Sequence, residues 1–258
     1  MNTKISKIII FIFITSFLIT PYITYAAEEE KQPSLADSWI VTPKAGKNSD
    51  FEKAFKKHIK FRAKKGDPRV WQTYVPTIGD NLNSYIIRSC CIKWEDIDSY
   101  AVWSEKNKIQ ENWDKNVDKY VATYSHHYNQ LDFENSRWPE KDDHFKLFAV
   151  TSYKTKVGSG KKIEQSKKKI SDYAKKMKWS YSWSWSWGIG GSSNLNLVVP
   201  YANYAGITPP KKGFAQVLSD HLGSEAKAQE VLDSWNDNFE STSYSIYQLR
   251  DDLSMSDK

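Results

Sequence analysis

Residues 38–252 carry two hydrophobic rhythms, one of period two and one of period 3.6, and they follow each other in the same order twice. Ser38 to Pro43 is a short apolar run that reads as a strand. Ser49-Asp50-Phe51-Glu52 has the form of a capping box, in which Ser49 and Glu52 would satisfy each other's backbone amides at a helix start. The helix that follows places Phe51, Ala54, Phe55, His58, Ile59 and Arg62 on one stripe, and Gly66 and Pro68 end it. Arg69 to Ile78 and Leu82 to Lys93 read as strands around the turn Gly79-Asp80-Asn81. Ile109, Trp113, Val117 and Val121 set a second helix over 105–124, and His126 to Glu134 reads as a closing strand.

A polar stretch with one proline, 137–143, then separates a second round. Phe145 to Tyr153 is a strand and Lys161 to Lys178 an amphipathic helix. Trp179 to Trp187 and Leu195 to Tyr201 are strands around the glycine-rich turn 188–193. Phe214 to Leu222 and Ala226 to Phe239 are helical, and Tyr244 to Arg250 closes as a strand. The second round thus has one helical segment more than the first. Tyr128-Asn-Gln-Leu131 and Ile246-Tyr-Gln-Leu249 give the two rounds a similar close.

A βαββαβ unit is the ferredoxin-like split motif, with helices on one face of an antiparallel sheet. The bare face needs cover, and two such sheets in one chain supply it for each other. The expected fold class is therefore α+β: two tandem ferredoxin-like units, 38–136 and 144–252, joined by the linker 137–143. This order of elements, its repeat length and the pattern Trp94-Glu-Asp-Ile-Asp-Ser-Tyr100 resemble the dimeric α/β-barrel superfamily, which includes the antibiotic-biosynthesis-monooxygenase-like proteins. The resemblance spans about residues 38–252 and implies an intramolecular dimeric α/β barrel. It also implies a choice among cofactor-free oxygenases, haem-handling and chlorite dismutase-like enzymes, and members that catalyse nothing known.

The N-terminus changes the picture of location. Lys4 and Lys7 precede Ile8 to Ile19, a run too short to span a bilayer comfortably, and Pro21 and Thr24-Tyr25-Ala26 follow. This reads as a signal peptide over 1–26, a flexible leader over 27–37, and an exported protein of the bacterial periplasm. No later segment is apolar enough to span a membrane. A tail over 253–258 ends the chain. Removing the two lysines lowers the formal charge of +6 by two, too balanced to suggest a nucleic-acid partner.

Candidate chemistry centres on the aromatic strand. Alternation puts Trp179, Tyr181, Trp183, Trp185 and Trp187 on one face and Ser180, Ser182, Ser184 and Ser186 on the other. The aromatics either anchor the sheet to its helices, with the serines in the space between the sheets, or form a wall for a flat ligand or a sugar. On the ligand reading, Trp71, Trp183, Trp185, Ser182 and Ser184 are the binding residues.

Arg88 lies on a strand: inward, it would hold an anionic substrate or a haem propionate; outward, it is plain surface. His58 sits on the apolar stripe of its helix, as a hydrogen-bonded core residue or as a general base or haem ligand facing a cavity. His58 and Arg88 are the catalytic candidates. His126 and His127 point to opposite faces of a strand, and no metal-ligand spacing is present. Cys90 and Cys91 are neighbours: one is expected to pack as a small hydrophobe, the other to stay reactive or to pair between chains.

Nine lysines over 156–178 give the second-half helix a basic back, read as a solvated face or a contact for anionic lipid. No cofactor is expected, apart from haem on the enzymatic reading. The leading expectation is a small apolar or aromatic ligand bound between the sheets of a monomer or homodimer. The alternatives are a monooxygenase-like or haem-handling enzyme and an envelope interaction protein.

Overall fold

The computed structural model describes residues 34–139, 145–192 and 194–255. The signal segment, residues 27–33 of the leader, and His144 lie outside them.

The first half runs β1 (Leu35–Pro43), α1 (Asn48–Lys64), β2 (Gln72–Ile78), β3 (Tyr85–Ile92), α2 (Asp96–Lys106), α3 (Ile109–Asn116) and β4 (Val121–Arg137). The second runs β5 (Leu147–Thr155), α4 (Gly160–Lys176), β6 (Trp183–Ile189), β7 (Asn194–Tyr201), α5 (Phe214–Leu222), α6 (Glu225–Asn236) and β8 (Phe239–Leu249). Each half orders its strands as the split motif requires, 4-1-3-2 and 8-5-7-6. The halves do more than face each other. β2 pairs with β8 and β4 with β6, all antiparallel, so the eight strands close into one barrel with the helices outside. Closure removes the four edge strands that two separate sheets would expose.

The apolar cores lie between strands and helices, not inside the barrel. Phe51, Phe55 and Ile59 of α1 bury against Val41, Tyr85 and Ile87 in the first half. Ile163 and Ala174 of α4 and Trp235 of α6 bury against Trp183, Trp185 and Leu195 in the second. No described helix is long and apolar enough to cross a membrane.

Several local expectations are corrected. Lys47 caps α1 with no side-chain hydrogen bond, and Glu52 is drawn away to Arg250 and Tyr85, so the capping box does not form. The helix expected over 105–124 breaks at Lys108, which takes a left-handed φ of 57°. Both halves therefore carry two helices before their last strand, and the second has no extra one. β1 starts at Leu35, inside the stretch that reads as leader, because Leu35, Ala36 and Asp37 are buried in the barrel wall. The tail is not free either, since Leu253 and Met255 complete the first-half core. Cys90 and Cys91 are joined in a disulfide across a cis peptide bond, so neither is a free thiol.

Candidate functional site

The register of the ladders assigns the two faces of each strand. Val41, Tyr85 and Ile87 face the helices, so Ser38, Ile40, Ile86 and Arg88 face the barrel interior. Ser38 lies opposite Arg88 on one side and His127 on the other, and Arg88 lies opposite Gln72. Gln72, Arg88, Ser38 and His127 thus form one polar layer across β2, β3, β1 and β4. Arg88 makes no hydrogen bond or ion pair with any described residue.

Its neighbours are held by their own contacts. Asn129 donates to Ser38 Oγ at 3.2 Å, and the Tyr74 hydroxyl donates to Gln72 Oε1 at 2.8 Å. His127 Nδ1 donates to the Gly190 carbonyl at 3.2 Å. A Cβ on Gly191 would stand 2.8 Å from His127 Cε1, and Gly191 itself holds a φ of +62°, so the glycine-rich turn is shaped around this ring.

The opposite stretch of the interior is apolar and aromatic. Phe148 and Tyr247 are ladder partners, as are Val150 and Ser245, and Val150 and Val198. The Tyr74 and Phe148 rings meet edge to face at 5.2 Å. Trp138, just past β4, stacks on Phe148 with centroids 6.4 Å apart. These aromatics were missed because each sits alone in its own strand and nothing in sequence brings them together.

The aromatic row settles on the helix side. Trp183, Trp185 and Trp187 face α4 and α6, and each indole N–H is taken: by the Asn135 carbonyl, by Ser171 Oγ and by Glu164 Oε1, at 2.8, 3.0 and 2.7 Å. Ser184 and Ser186 therefore face the interior, opposite Val198 and Asn196, and Ser182 precedes the strand. Trp179 and Tyr181 do not extend the row. Lys178 turns the chain with a φ of 52°, and the Arg137 side chain donates to the carbonyls of Trp179 and Tyr181, so β6 begins only at Trp183.

Trp71 is likewise a core residue, under the Arg62 guanidinium at 4.9 Å. Of the expected binding residues, only Ser184 is a strand residue of the interior wall.

His58 is buried between α1 and α3, where Nδ1 meets Asn112 Oδ1 at 2.8 Å and Trp113 stands edge-on at 5.2 Å. Burial pulls its pKa down to about 4, which keeps it neutral. Its ring is packed against Asn112 and Trp113 of α3, as the core-residue alternative has it. In the basic helix, Lys167 is the buried exception: its ammonium bridges Asp132 at 2.6 Å and Glu164 at 2.8 Å and ties α4 to β4.

A second constellation lies outside the barrel, on the face of β1 and β4. Asp37, buried, gives one oxygen to Arg69 Nη1 at 2.5 Å and the other to His126 Nε2 at 2.9 Å. Arg69 lies over Tyr100 at 3.7 Å, and its Nη2 has no partner. His126 is one-third exposed and stacks on Trp39 at 4.1 Å, with Tyr128 edge-on at 4.9 Å. Asp37 was hidden inside the apparent leader, and the adjacent pair His126-His127 was the only local signal.

A haem needs a flat cavity with an unengaged axial donor at its wall. The space between the second sheet and its helices is filled by Trp183, Trp185, Tyr153, Trp235 and Phe239. His58, His126 and His127 are engaged as above, and His221 is exposed on α5 beside Tyr173. The second-half space between sheet and helices is thus packed with side chains rather than shaped as a haem slot.

No family model matches the chain, and no curated protein matches it. Solved structures match its shape. A candidate monooxygenase of Lactobacillus acidophilus aligns at a TM-score of 0.53 and 10% identity, over 87% of this chain and 97% of that one. A candidate monooxygenase of Fusobacterium nucleatum subsp. nucleatum gives 0.53 and 10%, over 84% and 92%. A chlorite dismutase variant from Candidatus Nitrospira defluvii gives 0.50 and 6%, over 84% and 92%. At such identities the likeness is one of fold, and the fold is the dimeric α/β barrel built within one chain.

Proposed function

We propose that this is an exported protein that binds a small molecule, largely apolar or aromatic, inside its own barrel. The observation that carries the reading is that part of the barrel interior is left unpacked. Ile40, Ile86 and Val150, mid-strand and interior, keep part of their surface accessible, whereas their outward neighbours Val41, Ile87 and Ala149 are buried. Apolar surface left accessible inside a closed barrel gains free energy when a ligand covers it, at about 25 cal/mol per Å². Tyr74, Phe148 and Tyr247 supply the aromatic wall first assigned to the tryptophans.

The test is a fluorescence titration with N-phenyl-1-naphthylamine, a neutral apolar dye, on wild type and on Val198→Phe, which fills the interior. Dye binding lost in the variant, with an unchanged circular dichroism spectrum, supports the reading. Equal binding by both proteins removes it.

A monooxygenase-like enzyme is the second reading, and the Asp37–His126 pair favours it. A one-third-exposed imidazole oriented by a buried carboxylate is the arrangement of a general base. It moves the candidate base from His58 to His126. Equal oxygen uptake by wild type and His126→Ala, with a hydroquinone offered as substrate, would remove this role.

A further inference from the structure

We infer that the ligand of the barrel interior is an organic anion, its charged group seated on Arg88. This rests on the binding reading above and names its ligand class. Three observations converge. Away from the rims, no aspartate or glutamate occupies an interior-facing position on any of the eight strands among the described residues. The other interior-side cation, Lys154 at a strand end, is already paired with Glu240 at 2.7 Å. Arg88 is left as a partly buried guanidinium with no counter-charge in the wall around it.

The hydrogen bonds of the layer point the same way. They consume acceptors and leave donors. Gln72 Oε1 is taken by Tyr74, which frees the Gln72 amide N–H groups. Ser38 Oγ accepts from Asn129, which frees its own O–H. Both residues are direct ladder partners of Arg88, with Cβ atoms about 5 Å away by the geometry of antiparallel pairs. A carboxylate, sulfonate or phosphate would meet the planar fork of Arg88 and two neutral donors beside it.

The aromatic stretch of Tyr74, Phe148 and Tyr247 continues from this layer, since Tyr74 is two residues from Gln72 on the same face. A flat apolar body joined to one anionic group matches both parts. The tryptophans of β6, which face the helices, play no part in it.

The experiment compares two dyes of the same framework, 8-anilinonaphthalene-1-sulfonate and the neutral N-phenyl-1-naphthylamine, on wild type and Arg88→Gln. The sulfonate is expected to bind wild type more tightly than the neutral dye and to weaken as salt is raised. Arg88→Gln is expected to weaken the sulfonate at least tenfold, in line with a charge-assisted hydrogen bond, and to leave the neutral dye within about twofold. If the sulfonate binds both proteins equally, the anion assignment is overturned and the apolar site stands. If neither dye binds wild type, the interior is no ligand site and both readings fall. Should Arg88→Gln fail to fold, the salt dependence and the ratio of the two dyes on wild type decide: equal affinities at every salt concentration overturn the assignment.

Discussion

Trp185→Phe and Ser184→Ala are neighbouring substitutions on one strand with opposite expected outcomes. Trp185 is 3% exposed, meets Tyr153 and Trp235 at centroid distances of 6.2 and 5.3 Å, and donates to Ser171 Oγ. Phenylalanine removes the fused ring and its N–H. The lost volume leaves a partial cavity, and Ser171, itself 1% exposed, loses its partner. Together these cost about 2–4 kcal/mol, which for a folded body of this size lowers Tm by roughly 5–15 °C. Ser184 faces the interior, where removing one hydroxyl from an unpacked wall changes stability by less than about 1 kcal/mol. Urea unfolding followed by far-UV circular dichroism reads both. Dye titration completes the test: Trp185→Phe should bind N-phenyl-1-naphthylamine like wild type at temperatures where it is folded. A Trp185→Phe protein as stable as Ser184→Ala, or one that loses the dye while folded, would refute the assignment of faces.

Three further outcomes follow from the packing. His58 has a pKa lowered by burial from 6.5 to about 4, so the unfolded chain binds its proton first as pH falls. Its contribution is present above pH 6.5 and lost between 6.5 and 4, about 3 kcal/mol in all, and His58→Gln should flatten that part of the urea-stability curve measured from pH 7 to 4. Asp37→Asn leaves the Arg69 charge buried without its counter-ion and should cost about 3–5 kcal/mol by the same assay, whereas His126→Ala, at a partly exposed position, should cost under about 1.5. Gly191→Ala should cost about 1–2 kcal/mol through backbone conformation and contact with His127, and His127→Ala should return part of that cost in a double-mutant cycle.

The element order was legible because both rhythms are strong. Phe51, Phe55 and Ile59 recur at helical spacing, and the Trp–Ser alternation of β6 fixes two faces without ambiguity. Which face is buried was not legible there, because alternation is blind to what covers each side. The answer came from Ser171, Glu164 and the Asn135 carbonyl, which take the three indole N–H groups from elsewhere in the chain. The capping box failed for a similar reason: a tertiary partner 198 residues away, Arg250, holds Glu52 with two hydrogen bonds. Arg88 could be named from its place on a strand, but its layer could not, since Gln72, Ser38 and His127 meet only through ladders between four strands. Asp37 was hidden by the polar residues before it.

A crystal structure of the protein with 8-anilinonaphthalene-1-sulfonate tests the central claim most directly. The account predicts the dye inside the barrel, its rings against Tyr74 and Phe148 and its sulfonate oxygens at about 3 Å from the Arg88 guanidinium. Dye seated between helices and sheet, or on the outer face beside Trp39 and His126 with the interior unoccupied, would contradict it.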